Sequence, residues 1–285
     1  MSWKTVKNFL IVLLTAVNFL LFFFAYNYFK NSQYTSEDTA NEASQILAQS
    51  NISISPEQLA VKHDSAEILR CEYNREDYLE FVSALLFGKE ADNIYLLPDG
   101  IRAETLSGES ALLGFDMAID FKNAVLKTEI DNAIQNQVPI SDENSKAVRT
   151  SLEKQLALAT GALDNAKCEG YGEYFFITVN QCENDLPIYD MTCVFGLKGD
   201  KVVYANGKHF FAVPSESESA QLLSRVNIMF SEKQRGEEGK VSDISLCYTL
   251  YEDPHNNRML YIPAYKITYA GGKVSAVNAI SKEKY

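Results

Sequence analysis

The sequence predicts an α+β protein. A single N-terminal transmembrane helix is followed by extracytoplasmic domains of antiparallel sheets with helices packed on one face, and the chain ends in duplicated α-β-β-β units. Three observations predict this. Residues 9–29 carry no charge and are almost wholly apolar. The rest of the chain mixes strand-length alternating segments, bounded by Gly, Asn and Asp turns, with helix-period segments. A shift of 72 residues aligns two C-terminal stretches with the same order of elements.

The apolar run comes first. Its 21 residues make about 31 Å of helix, which matches a hydrocarbon core of about 30 Å. The run ends in aromatics with no small-x-small cleavage site after it, so an uncleaved anchor is expected rather than a signal peptide. Lys4 and Lys7 precede the run, and Glu37 and Asp38 follow Lys30. The positive-inside rule then places residues 1–8 in the cytoplasm, 9–29 in the cell membrane as a single pass, and the bulk of the chain outside. On a helix, Asn8, Thr15, Asn18, Phe22 and Ala25 share an arc of about 100°. Polar and small residues on one stripe suit contact with a partner helix in lipid, and Thr and Asn can equally be tolerated in a strongly apolar span.

Residues 30–50 read as a polar stalk, and residues 51–140 as a first α+β domain. Ser55-Pro56-Glu57-Gln58 is a capping-box start for a short helix. Asn74 is expected to cap a helix over 75–87, with Tyr78, Phe81, Val82 and Leu85 on one face and Gly88 as its stop. Residues 93–97 and 101–106 read as strands around the turn tripeptide Pro98-Asp99-Gly100. Strand and helix patterns compete over 111–135, and 138–141 is the candidate boundary.

Residues 141–285 form the second domain, with the two repeat copies at 141–213 and 214–285. At the offset of 72, Gly199-Asp200-Lys201-Val202 meets Gly271-Gly272-Lys273-Val274, and Asn206 meets Asn278. The first copy reads as a helix over 143–160 and strands near 172–181, 187–197 and 201–206. The second reads as a helix over 215–232, started by a Pro214-Ser215-x-x-Glu218 capping box, and strands near 241–251, 259–269 and 273–280. Alternation puts Tyr265, Ile267 and Tyr269 on one face and Lys266 and Thr268 on the other, the pattern of a half-covered sheet.

Charge and chemistry narrow the function classes. The chain of 285 residues is 46% hydrophobic, enough for a packed core, and its formal net charge is −12. An acidic chain lacks the basic surface that nucleic acid requires, so nucleic acid is not an expected partner. His63, His209 and His255 lie far apart and read as surface or turn residues, and no metal, cofactor or catalytic set is expected. No C-x-x-C, P-loop, G-x-G-x-x-G or G-x-S-x-G occurs. Cys182 and Cys193 flank an expected hairpin turn, which admits either a disulfide in an oxidising compartment or buried thiols.

The start, Met1-Ser2-Trp3-Lys4-x-x-Lys7 running into a single apolar span, and the ending, Ile262-Pro263-Ala264-Tyr265-Lys266-Ile267 through Gly272-Lys273-Val274 to Val277-Asn278-Ala279, resemble the YycH/YycI-type regulatory proteins of low-GC Gram-positive bacteria, YycI above all. Tyr265 stands where many relatives carry tryptophan. The resemblance implies a membrane-anchored regulator without enzymatic activity. Its implied partners are a sensor histidine kinase of the cell-wall two-component system, a sister single-span YycH-like protein and membrane lipid. The α-β-β-β units also resemble the PepSY-type module, which implies the alternative of a membrane-tethered peptidase inhibitor or binding module.

Overall fold

The structure, a computed structural model, describes residues 14, 15, 17–19, 21, 35–60, 65–156, 163, 166–212, 214–253 and 256–283. The chain divides into two compact units. One comprises residues 1–67, 219–246 and 263–285, and the other residues 68–218 and 247–262. Among the described residues, fifteen strands join in one large mixed sheet, and the helices are short.

The larger unit is built on antiparallel ladders. Helix α3 (Arg75–Phe87) follows strand β2 (Ala66–Glu72), after α1 (Glu37–Ala48), β1 (Ile52–Ser53) and α2 (Pro56–Leu59). A meander follows: β3 (Asn93–Leu97), β4 (Gly100–Glu104), β5 (Ser110–Gly114) and β6 (Ala118–Lys122), each paired with the next. Then come α4 (Lys127–Asn136), β7 (Val138–Pro139), α5 (Asp142–Gln155), β8 (Lys167–Tyr171), β9 (Tyr174–Glu183), β10 (Leu186–Lys198) and β11 (Lys201–Lys208). Strands β8 to β11 pair in sequence, and β11 also pairs β6, which joins the two meanders. The β9–β10 turn has Asn184 and Asp185 at positive φ, as a two-residue hairpin turn requires. Gly207 lies at φ +128, where a Cβ would stand 2.2 Å from the Thr192 carbonyl oxygen, so only glycine fits there. The main core gathers Leu79, Val82 and Leu86 of α3 with Ile101, Leu113, Phe121 and Phe195 of the sheet.

The smaller unit contains α1 (Glu37–Ala48), β1 (Ile52–Ser53), α2 (Pro56–Leu59), α6 (Arg225–Gln234) and β15 (Val274–Asn278). It also holds residues 239–246 of β13 (Gly239–Asp253) and 263–269 of β14 (Arg258–Tyr269). Ser55 and Ser224 cap α2 and α6 through their side-chain oxygens. The core brings Ala40, Ala43 and Leu47 of α1 against Tyr265, Ile267, Val277 and Ala279. Tyr265, Ile267 and Tyr269 are buried and Lys266 and Thr268 are not, as the alternation predicts. Glu232 of α6 is fully buried. Its carboxylate accepts from Arg235 at 2.6 Å, from the Tyr269 hydroxyl at 3.3 Å and from Ser275 Oγ at 3.2 Å. Burial and the Glu232 charge together hold the Tyr269 phenol above its ordinary range.

The expected fold class needs correction. The strands expected over 141–285 and the helix that opens the first copy occur, but not as two free-standing α-β-β-β units. They merge into the mixed sheet, which includes the parallel pairs Ile52↔Gly239 and Ile188↔Tyr248. The physical reason is that an isolated meander leaves two raw edges. Here β6 covers β11, and β2 pairs with β14 through Arg258↔Glu72 to Tyr261↔Leu69. The expected transmembrane helix is not shown either. Residues 9–29 lie mostly outside the described residues, and no helix among the described residues is long and apolar enough to cross a membrane.

Two local readings also change. Residues 216–220 form strand β12 (Glu216–Ala220) rather than the start of a helix. Ser215 does not cap; its N–H donates to the Arg70 carbonyl at 2.8 Å, and the helix begins only after Ser224. In α3, Asn74 and Gly88 cap as expected, but the buried stripe is Leu79, Val82 and Leu86, while Phe81 faces outward.

Candidate functional site

The outward turn of Phe81 belongs to a gap at the end of the meander. Cross-strand partners share a sheet face. Ile94, Ala103, Ala111 and Phe121 therefore form one row through β3 to β6, and Leu96, Ile101, Leu113 and Ile119 another. Helix α3 covers this face over β4 to β6, and those residues are buried. The rows fail at β3, where Ile94 is 46% and Leu96 80% exposed.

Strand β3 is also the terminal strand of the sheet path. It pairs β4 on one side and no strand on the other among the described residues. Such a margin offers unpaired backbone donors and acceptors. Its position is fixed at the entering end. Gly88, at φ +69, ends α3 and turns the chain, the Asp92 N–H donates to the Glu104 carbonyl at 2.8 Å, and the Asp92 carboxylate accepts from the Leu106 N–H at 2.7 Å. Lys89 pairs with the same carboxylate at 3.5 Å.

Between α3 and β3 runs a groove of about 350 Å³. Phe81, Ala84, Ala91 and Ile94 give it an apolar lining, and Asp77, Glu80 and Glu90 an acidic one. These three carboxylates have no ion-pair partner among the described residues. The arrangement has what is needed to bind a polypeptide: apolar floor, uncompensated charge and open backbone groups. Ser83 also lines it, and its hydroxyl donates to the Glu80 backbone carbonyl at 2.8 Å.

The residues singled out from the sequence lie elsewhere. Asn8, Phe22 and Ala25 are outside the described residues, whereas Thr15 and Asn18 are helical and exposed. Cys182 and Cys193 do not face one another, since Cys182 stands opposite Pro187 and Cys193 opposite Val179. Both thiols are free, Cys182 exposed and Cys193 buried in the main core. Burial pushes the Cys193 thiol up to about 12. Cys71 and Cys168 are likewise free and buried, and Cys247 is buried.

His63 and His255 lie outside the described residues. His209 is not the surface residue expected. It is buried, with ring centroids of Phe211 and Phe195 at 4.4 and 5.7 Å and no hydrogen-bond partner at Nδ1 among the described residues. Burial drives its pKa down to about 4, so the ring is neutral. Among the described residues no three His, Cys, Asp or Glu side chains are grouped to hold a metal ion. The groove has a sequence signal only in retrospect. Two apolar stripes compete on α3, and the five residues of β3 include Ile94, Tyr95, Leu96 and Leu97 in a row, with no polar face.

No family model matches the chain, and no curated protein matches it. Among solved structures, the chain is similar to an uncharacterized protein from Eubacterium rectale ATCC 33656, at 12% identity and a TM-score of 0.44, over 78% of this chain and 85% of that one. A likeness that distant carries no argument about function.

Proposed function

We propose that the chain is a non-enzymatic regulatory protein at the outer side of the cell membrane, which binds a sensor histidine kinase of a cell-wall two-component system and alters its activity, together with a sister YycH-like protein. The observation that carries a binding role is the uncovered end of the meander, where Ile94 and Leu96 lie exposed in rows that are otherwise buried. Exposed apolar side chains grouped beside a groove are characteristic of protein contact surfaces. Membrane attachment is supported by the uncharged run 9–29, whose described residues Leu14, Val17, Phe19 and Leu21 are exposed. The link to a kinase rests on the sequence resemblance. A coupling of about 1–3 kcal/mol between the two proteins would change kinase activity about 5–150-fold.

The test is co-reconstitution. The full chain and the sensor kinase encoded nearest to it are placed in the same vesicles, and autophosphorylation is measured with and without the chain. The reading expects at least about a fivefold change, together with co-purification in detergent. An unchanged kinase at saturating chain, with no co-purification, overturns it. A chain lacking residues 1–30 should leave the vesicle fraction.

A further inference from the structure

We infer that a partner protein completes the meander by adding an extended segment to β3, and that this segment alternates so that valine-like and lysine- or arginine-like side chains share one face. The inference rests on the binding role proposed above and names the chemistry of the partner at this surface.

The backbone argument concerns the shape of the occupant. The free margin of β3 presents donors and acceptors that only another extended chain satisfies in register. A helix laid in the groove would leave them to water. The side-chain argument concerns which residues the segment carries. In an added strand, every second side chain points to the face that carries Ile94 and Leu96. Apolar side chains there continue the two rows that stop short at β3. A lysine or arginine there lays its methylene stem over Phe81 and Ile94 and brings its charge to Asp77, Glu80 or Glu90. The three carboxylates disfavour an acidic segment, and they equally disfavour a second copy of this chain, which would bring acid against acid.

Peptide binding to the unaltered full chain provides the test. The probe is a fluorescent eight-residue peptide in which threonine alternates with valine and lysine, so that valine and lysine share a face. A second peptide has glutamate for lysine. Two more are N-methylated, one at the threonine amides and the other at the valine and lysine amides. Amides of successive residues point to opposite sides of a strand, so strand addition predicts that one N-methylated peptide loses binding and the other keeps it.

The parent peptide should bind at least about tenfold more tightly than its glutamate counterpart. The double substitution Glu80→Lys and Glu90→Lys should weaken it by about tenfold. The same reversal at Asp142 and Glu143, exposed at the start of α5, should leave it unchanged. Equal binding of both N-methylated peptides overturns the inference, as does indifference to the Glu80 and Glu90 reversals. A dimer of the chain that Leu96→Lys dissociates also overturns it. A negative peptide result with intact kinase regulation removes this docking mode alone. The expected peptide pattern with an unresponsive kinase removes the kinase reading and leaves the surface standing.

Discussion

The Arg235 guanidinium, at the C-cap of α6, donates a 2.6 Å hydrogen bond to the carboxylate of Glu232, three residues earlier, and Glu232 is fully buried while Arg235 reaches toward solvent. The ion pair closes the one side of the carboxylate that Tyr269 and Ser275 do not reach. Arg235→Ala leaves a buried charge half-satisfied and should cost about 2–3 kcal/mol. Urea denaturation of the variant measures it, and a loss under 0.5 kcal/mol would mean that the two hydroxyls suffice alone.

His209 makes stability depend on pH. In the fold its pKa is about 4, below the ordinary value of 6.5. The unfolded chain therefore binds the proton more readily. The stabilisation is present above pH 6.5 and is lost as pH falls through 6.5 toward 4. The full effect is on the order of 3 kcal/mol. Urea midpoints of the native chain and of His209→Leu at pH 7 and pH 5 separate this from carboxylate titration. The native chain should lose more stability than the variant between the two pH values, and parallel losses would refute the assignment.

Thiol chemistry should be selective. Cys182 is exposed, while Cys71, Cys168, Cys193 and Cys247 are buried. A thiol reagent should modify one cysteine per native chain and five on denaturation. Burial, with Asp185 nearby, raises the Cys182 pKa, so the native reaction should quicken as pH rises above 9. A native chain with no reactive thiol and two thiols missing after denaturation would restore the Cys182–Cys193 disulfide.

Paired substitutions on one sheet face should differ sharply. Leu113→Ala opens the main core and should cost about 3 kcal/mol. Leu96→Lys, on the same row but exposed, should change stability by less than about 0.5 kcal/mol. Comparable losses at both would mean that β3 is covered in the isolated chain.

These contrasts also indicate which features were legible in the sequence. Caps are local: Asn74, Gly88 and Ser55 announce helix limits through groups within three residues of each terminus. Alternation over 264–269 depends on pleat alone, and the burial of Tyr265, Ile267 and Tyr269 follows it. Ser215-x-x-Glu218 imitates the same cap signal, but Arg70, far away in sequence, takes the Ser215 N–H. The exposed face of α3 depends on which strands lie beneath it, so Phe81 could be read as core. Pairings such as Ile188↔Tyr248 leave no mark in either strand. The groove was invisible for the same reason, because it arises where α3 stops covering the sheet.

The smaller unit draws its core from segments far apart in the sequence, with Ala40, Ala43 and Leu47 packed among Tyr265, Val277 and Ala279. A ribosome delivers these groups at opposite moments of synthesis. The early helix must idle, greasy side unshielded, until residues 265–279 have been made. Loss of residues 265–279 therefore unmasks the apolar side chains of Ala40, Ala43 and Leu47.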